Sequence, residues 1–195
     1  VGALRIALSM ASEIVTWEPV GSDPDDSTLS DRCSADQLLI GFVGSVDDSE
    51  SVLRSVQGIC GELTITAEAP YQVTIAQVSE LPVRGIPGVV TQSALCPPDQ
   101  VMTGFAGRSG NLIDGISVRC ASVMILGAPP NVFLTVGAGT KAGTIGSTTS
   151  GANFEAVDCR AGDLAAGQFV RNPPGGVGLI RGFGLICATP SLLVE

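Results

Sequence analysis

Six cysteines, a cluster of aspartates and a polar Arg-Ser-Gly-Asn stretch are the residues of this 195-residue sequence whose types and spacing can carry chemistry. The chain has no histidine, which rules out Ser-His-Asp and Cys-His nucleophilic sites and histidine metal sites. A two-carboxylate glycosidase needs only two acids at a suitable separation, and 19 are present, but no spacing singles out a pair. The reading is therefore of a chain that is not an enzyme. Asp23, Asp25, Asp26 and Asp31 fall in one loop, GSDPDDSTLSD, and a hard cation such as calcium takes clustered carboxylate oxygens. Their spacing matches no EF-hand loop, so calcium, with Asp23, Asp25 and Asp26 as ligands, stands beside the plainer reading of a solvated acidic loop, and no other cofactor is expected. Arg108, Ser109 and Asn111 sit where two apolar runs meet and are the candidate ligand contacts of an exposed tip. GAGTKAGTIG lacks the Gly-Lys-Ser/Thr ending of a phosphate loop and reads as turns.

These groups depend on the elements that hold them, and the plainest of those is CPPDQVMTGFAGRSGNLIDGISVRC, from Cys96 to Cys120. Val101 to Phe105 and Leu112 to Val118 flank a Gly/Ser/Asn cluster, the pattern of a β-hairpin. Looser copies run from Cys33 to Cys60 and from Cys159 to Cys187, with the first cysteines spaced 63 residues apart. Residues equidistant from a hairpin turn face each other. The midpoint of 96 and 120 is Arg108, that of 33 and 60 falls at Val46 and Asp47, and that of 159 and 187 is Pro173, each in a turn-rich segment. The symmetry selects three disulfides, Cys33 with Cys60, Cys96 with Cys120, and Cys159 with Cys187, over free or inter-repeat cysteines. It also predicts a threefold internal repeat within a single domain, 1–195, with units near 3–66, 70–126 and 130–192.

Composition agrees. Gly (25) and Pro (12) are too frequent for long helices, while 45% hydrophobic content supports a sizeable core. An even cysteine count at repeated spacing belongs to an oxidising compartment, so the chain is expected to be secreted or on a cell surface. No basic region precedes a hydrophobic core at the start of the sequence, so a signal peptide was removed or a longer chain is involved. The most apolar window, 121–139, is broken by Pro129 and Pro130, which argues against membrane insertion. A net charge of −9, with one lysine among ten cations, argues against nucleic acid and anionic membranes.

Each unit offers about four strands, among them Arg5 to Met10, Gln37 to Gly44, Val90 to Leu95 and Phe154 to Cys159, with the apolar tail SLLVE as an edge strand. One such unit cannot bury both its faces, so three must pack together. Leu38, Leu39, Ile40 and Phe42, like Val101, Met102, Thr103 and Phe105, are largely apolar at both parities, which suits strands covered on more than one side. The fold class is all-β: a three-sheet β-prism with pseudo-threefold repeats, or alternatively a single β-sandwich. Counting back six residues from each second cysteine gives Arg54, Asp114 and Arg181, on the predicted face of Val56, Ile116, Val118, Phe183 and Leu185. This predicts a structural charge cluster with Asp114 between two arginines across the axis; separate solvated charges are the alternative.

The repeats resemble those of the vitelline membrane outer layer protein family. The resemblance rests on a cysteine followed eight and nine residues later by Gly-Phe (Gly41-Phe42 after Cys33, Gly104-Phe105 after Cys96), a turn, and an apolar strand ending in cysteine. A similar pattern, C-P-x-x-x-V-x-x-G-F-x-G-R-x-G-x-x-I-D-x-I-x-x-x-C, is associated with secreted bacterial proteins of unclear function. The sequence departs from the family in having one tryptophan, Trp17, and Gly167-Gln168 where Gly-Phe is expected. The resemblance implies a β-prism of three sheets and an extracellular coat or matrix protein with saccharide affinity. The expected function is a non-catalytic module binding carbohydrate or an extracellular matrix component through loops at one end. The alternative is a structural subunit of a coat, adhesin or appendage that self-assembles through Val1 to Met10 and Ser191 to Glu195, in keeping with a mean hydropathy of +0.40.

Overall fold

The computed structural model describes residues 4–17, 25–49, 52–66, 70–128, 131–174 and 178–194. Within them the chain is all-β, and its strands form three antiparallel sheets. Sheet I runs β5 (Val73–Glu80), β4 (Leu53–Ile65), β3 (Gln37–Val46), β7 (Val90–Leu95), with the short β6 (Arg84–Gly85) also on β4. Sheet II runs β10 (Asn131–Val136), β9 (Ile113–Ala128), β8 (Gln100–Ser109), β12 (Ala152–Asp158), with β11 (Thr140–Gly146) also on β9. Sheet III runs β1 (Leu4–Trp17), β14 (Gly182–Val194), β13 (Leu164–Asn172), β2 (Ser27–Arg32). The expected hairpins are the central pairs β3–β4, β8–β9 and β13–β14, and the tail residues Ser191 to Val194 continue β14 against β1. This is the three-sheet prism rather than the single sandwich.

The sheets do not follow the repeat boundaries read from the sequence. The strand ahead of each first cysteine leaves its own hairpin and pairs with the preceding one: β7 with β3, β12 with β8, and β2 with β13. The amides of Cys96, Cys159 and Cys33 accordingly donate to the carbonyls of Ile40, Thr103 and Ala166 in those earlier hairpins. The disulfides are Cys33–Cys60, Cys96–Cys120 and Cys159–Cys187, as the symmetry requires, with Cα atoms 5.6–5.8 Å apart. Because the first cysteine ends an outer strand of one sheet and the second lies on β4, β9 or β14 of the next, each bridge joins two sheets. Together they close a ring from sheet III to I, I to II and II to III.

Each first hairpin strand needs a glycine where the outer strand crosses closely. A bulge separates Leu39 from Gly41, Met102 from Gly104 and Ala165 from Gly167. A Cβ on these glycines would overlap the carbonyl of Ala94, the Asp158 carboxylate and the carbonyl of Asp31. The bulge also explains the mixed parity of the apolar residues. Leu39, Met102 and Ala165 enter one core cluster with Phe42 and Phe105, while Leu38, Val101 and Leu164 enter a second with Leu63, Val123 and Leu192. Phe183 stands edge-on to Phe42 and Phe105, with centroids 5.2 and 5.0 Å away, contacts worth about 0.5–1.5 kcal/mol each beyond burial. The third position of that series is Gln168, fully buried. It donates from Nε2 to Asp31 Oδ2 and the Pro82 carbonyl (both 3.0 Å) and accepts the Gly58 amide on Oε1 (2.8 Å).

The expected charge cluster does not form. Val56, Ile116, Val118, Phe183 and Leu185 do face the core, but Arg54, Asp114 and Arg181 do not meet. A second bulge intervenes, for Ser45 opposes Ser55 while Val46 opposes Leu53, and Arg108 opposes Gly115 while Ser109 opposes Ile113. The extra residue is Arg54 in one strand and Asp114 in the other, so side-chain alternation breaks there. The axis at this height is filled by Leu53, Ile113 and Ile180 instead. Arg54 Nε donates to the Pro87 carbonyl (3.3 Å), and Arg181 Nη1 pairs with Asp26 Oδ1 (3.0 Å). Asp114 is buried beside Gly110 and Arg108. Burial pushes its carboxyl above the ordinary carboxylate value, against a backbone hydrogen bond from Gly110 and the attraction of Arg108.

Candidate functional site

Sheets I and II meet along β7 and β11, where the Gly146 amide donates to Gln92 Oε1 (2.7 Å). At the hairpin-tip end of this seam lies an open cleft of about 740 Å³. Asp48 and Ser49 from the β3–β4 tip form one wall, Gln92 and Ser93 of β7 the floor, and Thr144, Gly146 and Ser147 to Thr149 the other wall. Gly146, at φ +86°, turns the chain out of β11. The following wall is held locally: the Ser147 amide donates to the Asp114 carbonyl (2.8 Å), and Ser147 Oγ accepts the amides of Thr149 (3.1 Å) and Ser150 (2.8 Å).

Arg108 braces that wall from behind. Its guanidinium donates to the carbonyls of Thr149 (3.0 Å), Ser150 (2.7 Å) and Gly151, and to Asn153 Oδ1 (2.7 Å). Thr144, Ser147 and Thr148 also border a smaller recess of about 250 Å³ that reaches Ser117, Lys141 and Asn153. The polar surface therefore continues from Asp48 around the 144–149 segment to Lys141.

The sequence-predicted contacts are placed differently. Arg108 positions the cleft wall. Ser109 is buried and accepts Trp17 Nε1–H on Oγ (3.1 Å), while the Trp17 ring stacks on Phe154 with centroids 4.6 Å apart. Asn111 is exposed at the tip turn and does not line the cleft. Of the aspartates proposed for calcium, Asp23 lies outside the described residues, Asp25 is exposed, and Asp26 is buried against Arg181. Asp31, from the same acidic stretch, is held by Arg84 and Gln168. Burial pushes the Asp31 carboxyl up, but the Arg84 and Gln168 hydrogen bonds and the Arg84 charge outweigh it and leave it below its ordinary value. No group of three or more metal-ligating side chains gathers among the described residues.

The residues that sequence reasoning missed are Asp48, Gln92, Thr144 and the Ser147–Thr149 wall. Their signal was the polarity of GSVDDSES and GSTTSG, which by itself reads only as turn.

The arrangement offers carboxylate, amide and hydroxyl groups that can both donate and accept. Asp48 is the only carboxylate among the described lining residues, whereas glycoside hydrolysis employs two. No family model and no curated protein sequence matches the chain. In fold the chain is similar to a prostate-specific WGA16 glycoprotein lectin, at 15% identity over 90% of this chain and 99% of that one, with a TM-score of 0.52. It is also similar to wild-type Malaysian banana lectin, at 12% identity over 93% and 100% of the two chains, with a TM-score of 0.50. At such identities the likeness shows the fold, a β-prism.

Proposed function

We propose that the chain is a non-catalytic carbohydrate-binding module of a secreted or cell-surface protein, and that the cleft between the β3–β4 tip and the 144–149 segment holds the sugar. The observation that carries this reading is the cleft itself, an open surface of hydroxyl, amide and carboxylate groups on a rigid prism. The shared fold with two lectins and the resemblance of the repeats to the vitelline membrane outer layer family support it. Three disulfides suit an extracellular setting. Adjacent sugar hydroxyls can donate to the Asp48 carboxylate and accept from Gln92 and the wall residues. The single negative charge disfavours acidic sugars and suits neutral or amino sugars. An open polar cleft of this kind binds a monosaccharide weakly, with Kd of about 1 mM or −4.1 kcal/mol, so function depends on longer or multivalent glycans.

A broad glycan array, run with and without calcium, tests the reading. Neutral oligosaccharides should bind, and Asp48→Ala should abolish the signal; no glycan above background in either condition would refute it.

One observation favours a structural subunit as the second reading. Met124, Leu126 and Phe133 are 50%, 42% and 54% exposed on the outer face of sheet II. The matching positions four and six residues beyond Cys60 are Thr64 and Thr66, and the residue facing Thr66 across the strands is Gln72. An exposed apolar face of this kind suits contact with a second copy of the chain. Light scattering on a size-exclusion column decides: a monomer at every concentration removes this reading.

A further inference from the structure

The pseudo-threefold repeat supplies internal controls for each position, and one place on sheet II departs from both of its counterparts. Positions 40, 103 and 166 are equivalent, as are the residues just before the second cysteines, 59, 119 and 186. Sheet I carries Ile40 and Ile59 there, and sheet III carries Ala166 and Ile186, all buried. Sheet II carries Thr103 and Arg119 instead, beside a recess of about 370 Å³. Glycines and alanines of the 137–139 and 161–162 segments form its walls, so little side-chain bulk closes it.

The polar groups in this recess are pre-oriented. Arg119 Nε and Nη2 grip the Asp158 carboxylate (2.7 and 3.2 Å), and Nη2 also reaches the Gly139 carbonyl (2.7 Å). The Asp158 carboxylate lies across Gly104, where any Cβ would collide with it. Thr103 is buried, lines the recess, and its Oγ1 has no hydrogen-bond partner. Arg160, with its side chain 67% exposed, stands at the rim beside Asp163, whose carboxylate accepts from Thr189. An exposed ion pair contributes less stability than the burial of an isoleucine, so stability alone does not account for the exchange. At the rim the Glu13 carboxylate accepts the Arg160 amide, so two arginines face three carboxylates, which disfavours an anionic ligand and leaves neutral ones. A fork that donates and accepts side by side matches adjacent hydroxyls, each of which also donates and accepts.

We propose that this recess is a second ligand site, taking two adjacent hydroxyls of a neutral saccharide or cyclitol. Asp158 accepts from one hydroxyl, Arg119 Nη1 donates to the next, and Arg160 closes over the outer edge. The site lies beside the Cys159–Cys187 disulfide, away from the tip cleft, and its occupation does not depend on that cleft.

The test is amide NMR of the intact, disulfide-bonded chain titrated with methyl glycosides of glucose, galactose and mannose and with myo-inositol, against glucuronate and inorganic phosphate. At least one neutral probe should give saturable shifts at Gly137, Gly139 and Gly162. Arg119→Ile, which installs the residue of the other two repeats, should remove them, and the exposed rim change Arg160→Ala should weaken them while leaving the rest of the spectrum unchanged. Asp48→Ala should leave them intact. Shifts confined to 144–149 would overturn this second site and uphold the tip cleft; shifts confined to 137–139 and 162 would do the reverse. Stronger response to glucuronate or phosphate would overturn the neutral-ligand assignment, and no response to any probe would overturn the site.

Discussion

Gln168 stands where the other repeats place a core phenylalanine, and replacing it with leucine should unlock the junction of sheets III and I. In Gln168→Leu the Gly58 amide loses its acceptor inside the protein, a cost of about 1–3 kcal/mol. Asp31 loses one donor to a charged acceptor, worth about 1.5–3 kcal/mol. Pro82 is an exposed residue whose carbonyl can take water in place of Gln168, so it adds little. With some return from the apolar side chain, the net loss should be about 3 kcal/mol. At a urea dependence of about 2–3 kcal/mol/M, the unfolding midpoint should fall by about 1–1.5 M. Unfolding followed by far-UV circular dichroism and by the fluorescence of Trp17, with disulfides intact, measures this. Gln168→Phe, which restores the residue of the other repeats, should do no better, because the Gly58 amide remains orphaned. If either variant stays within about 0.5 kcal/mol of the parent, the polar network is not what holds this junction.

Further outcomes follow from the same structure. Asp31 has a folded-state value below the ordinary one, so the stability it contributes is present above the ordinary carboxylate range and is lost as pH falls through the lowered value; Asp31→Asn should lack that acid loss in urea midpoints measured across pH. Asp114 has the opposite sign: its folded-state value is raised, so stability should decline as pH climbs from the ordinary value through the raised one, and Asp114→Asn should flatten that decline. In double-mutant cycles Asp114 should couple to Arg108 and stay additive, within about 0.5 kcal/mol, with Arg54 and Arg181. Removing any one cysteine pair should cost about 3 kcal/mol, since the bridges span 24 to 28 residues and each staples two sheets; calorimetry on the three double-alanine variants checks that the losses are similar.

Much of the prism is encoded where neighbours along the chain decide the outcome. The 63-residue spacing of Cys33, Cys96 and Cys159 recurs in the bulge glycines Gly41, Gly104 and Gly167, and turns midway between cysteines name the disulfide partners. Apolar residues at both parities mark strands covered on two sides. These are local or periodic signals, and backbone geometry alone translates them into hairpins.

What the tertiary structure decided involves residues far apart in sequence. That β2 pairs with β13, and so makes the disulfides bridges between sheets, depends on how three hairpins close around an axis. A bulge of one residue turned Arg54 and Asp114 off the core face, because a single insertion reverses side-chain parity beyond it, and Arg181 pairs with Asp26 instead. Arg108 has the composition of a ligand contact, yet three carbonyls and Asn153 within reach make it a brace. Asp48, Gln92 and Thr144 come from three separate turns and strands, and only the meeting of sheets I and II at β7 and β11 brings them to one cleft.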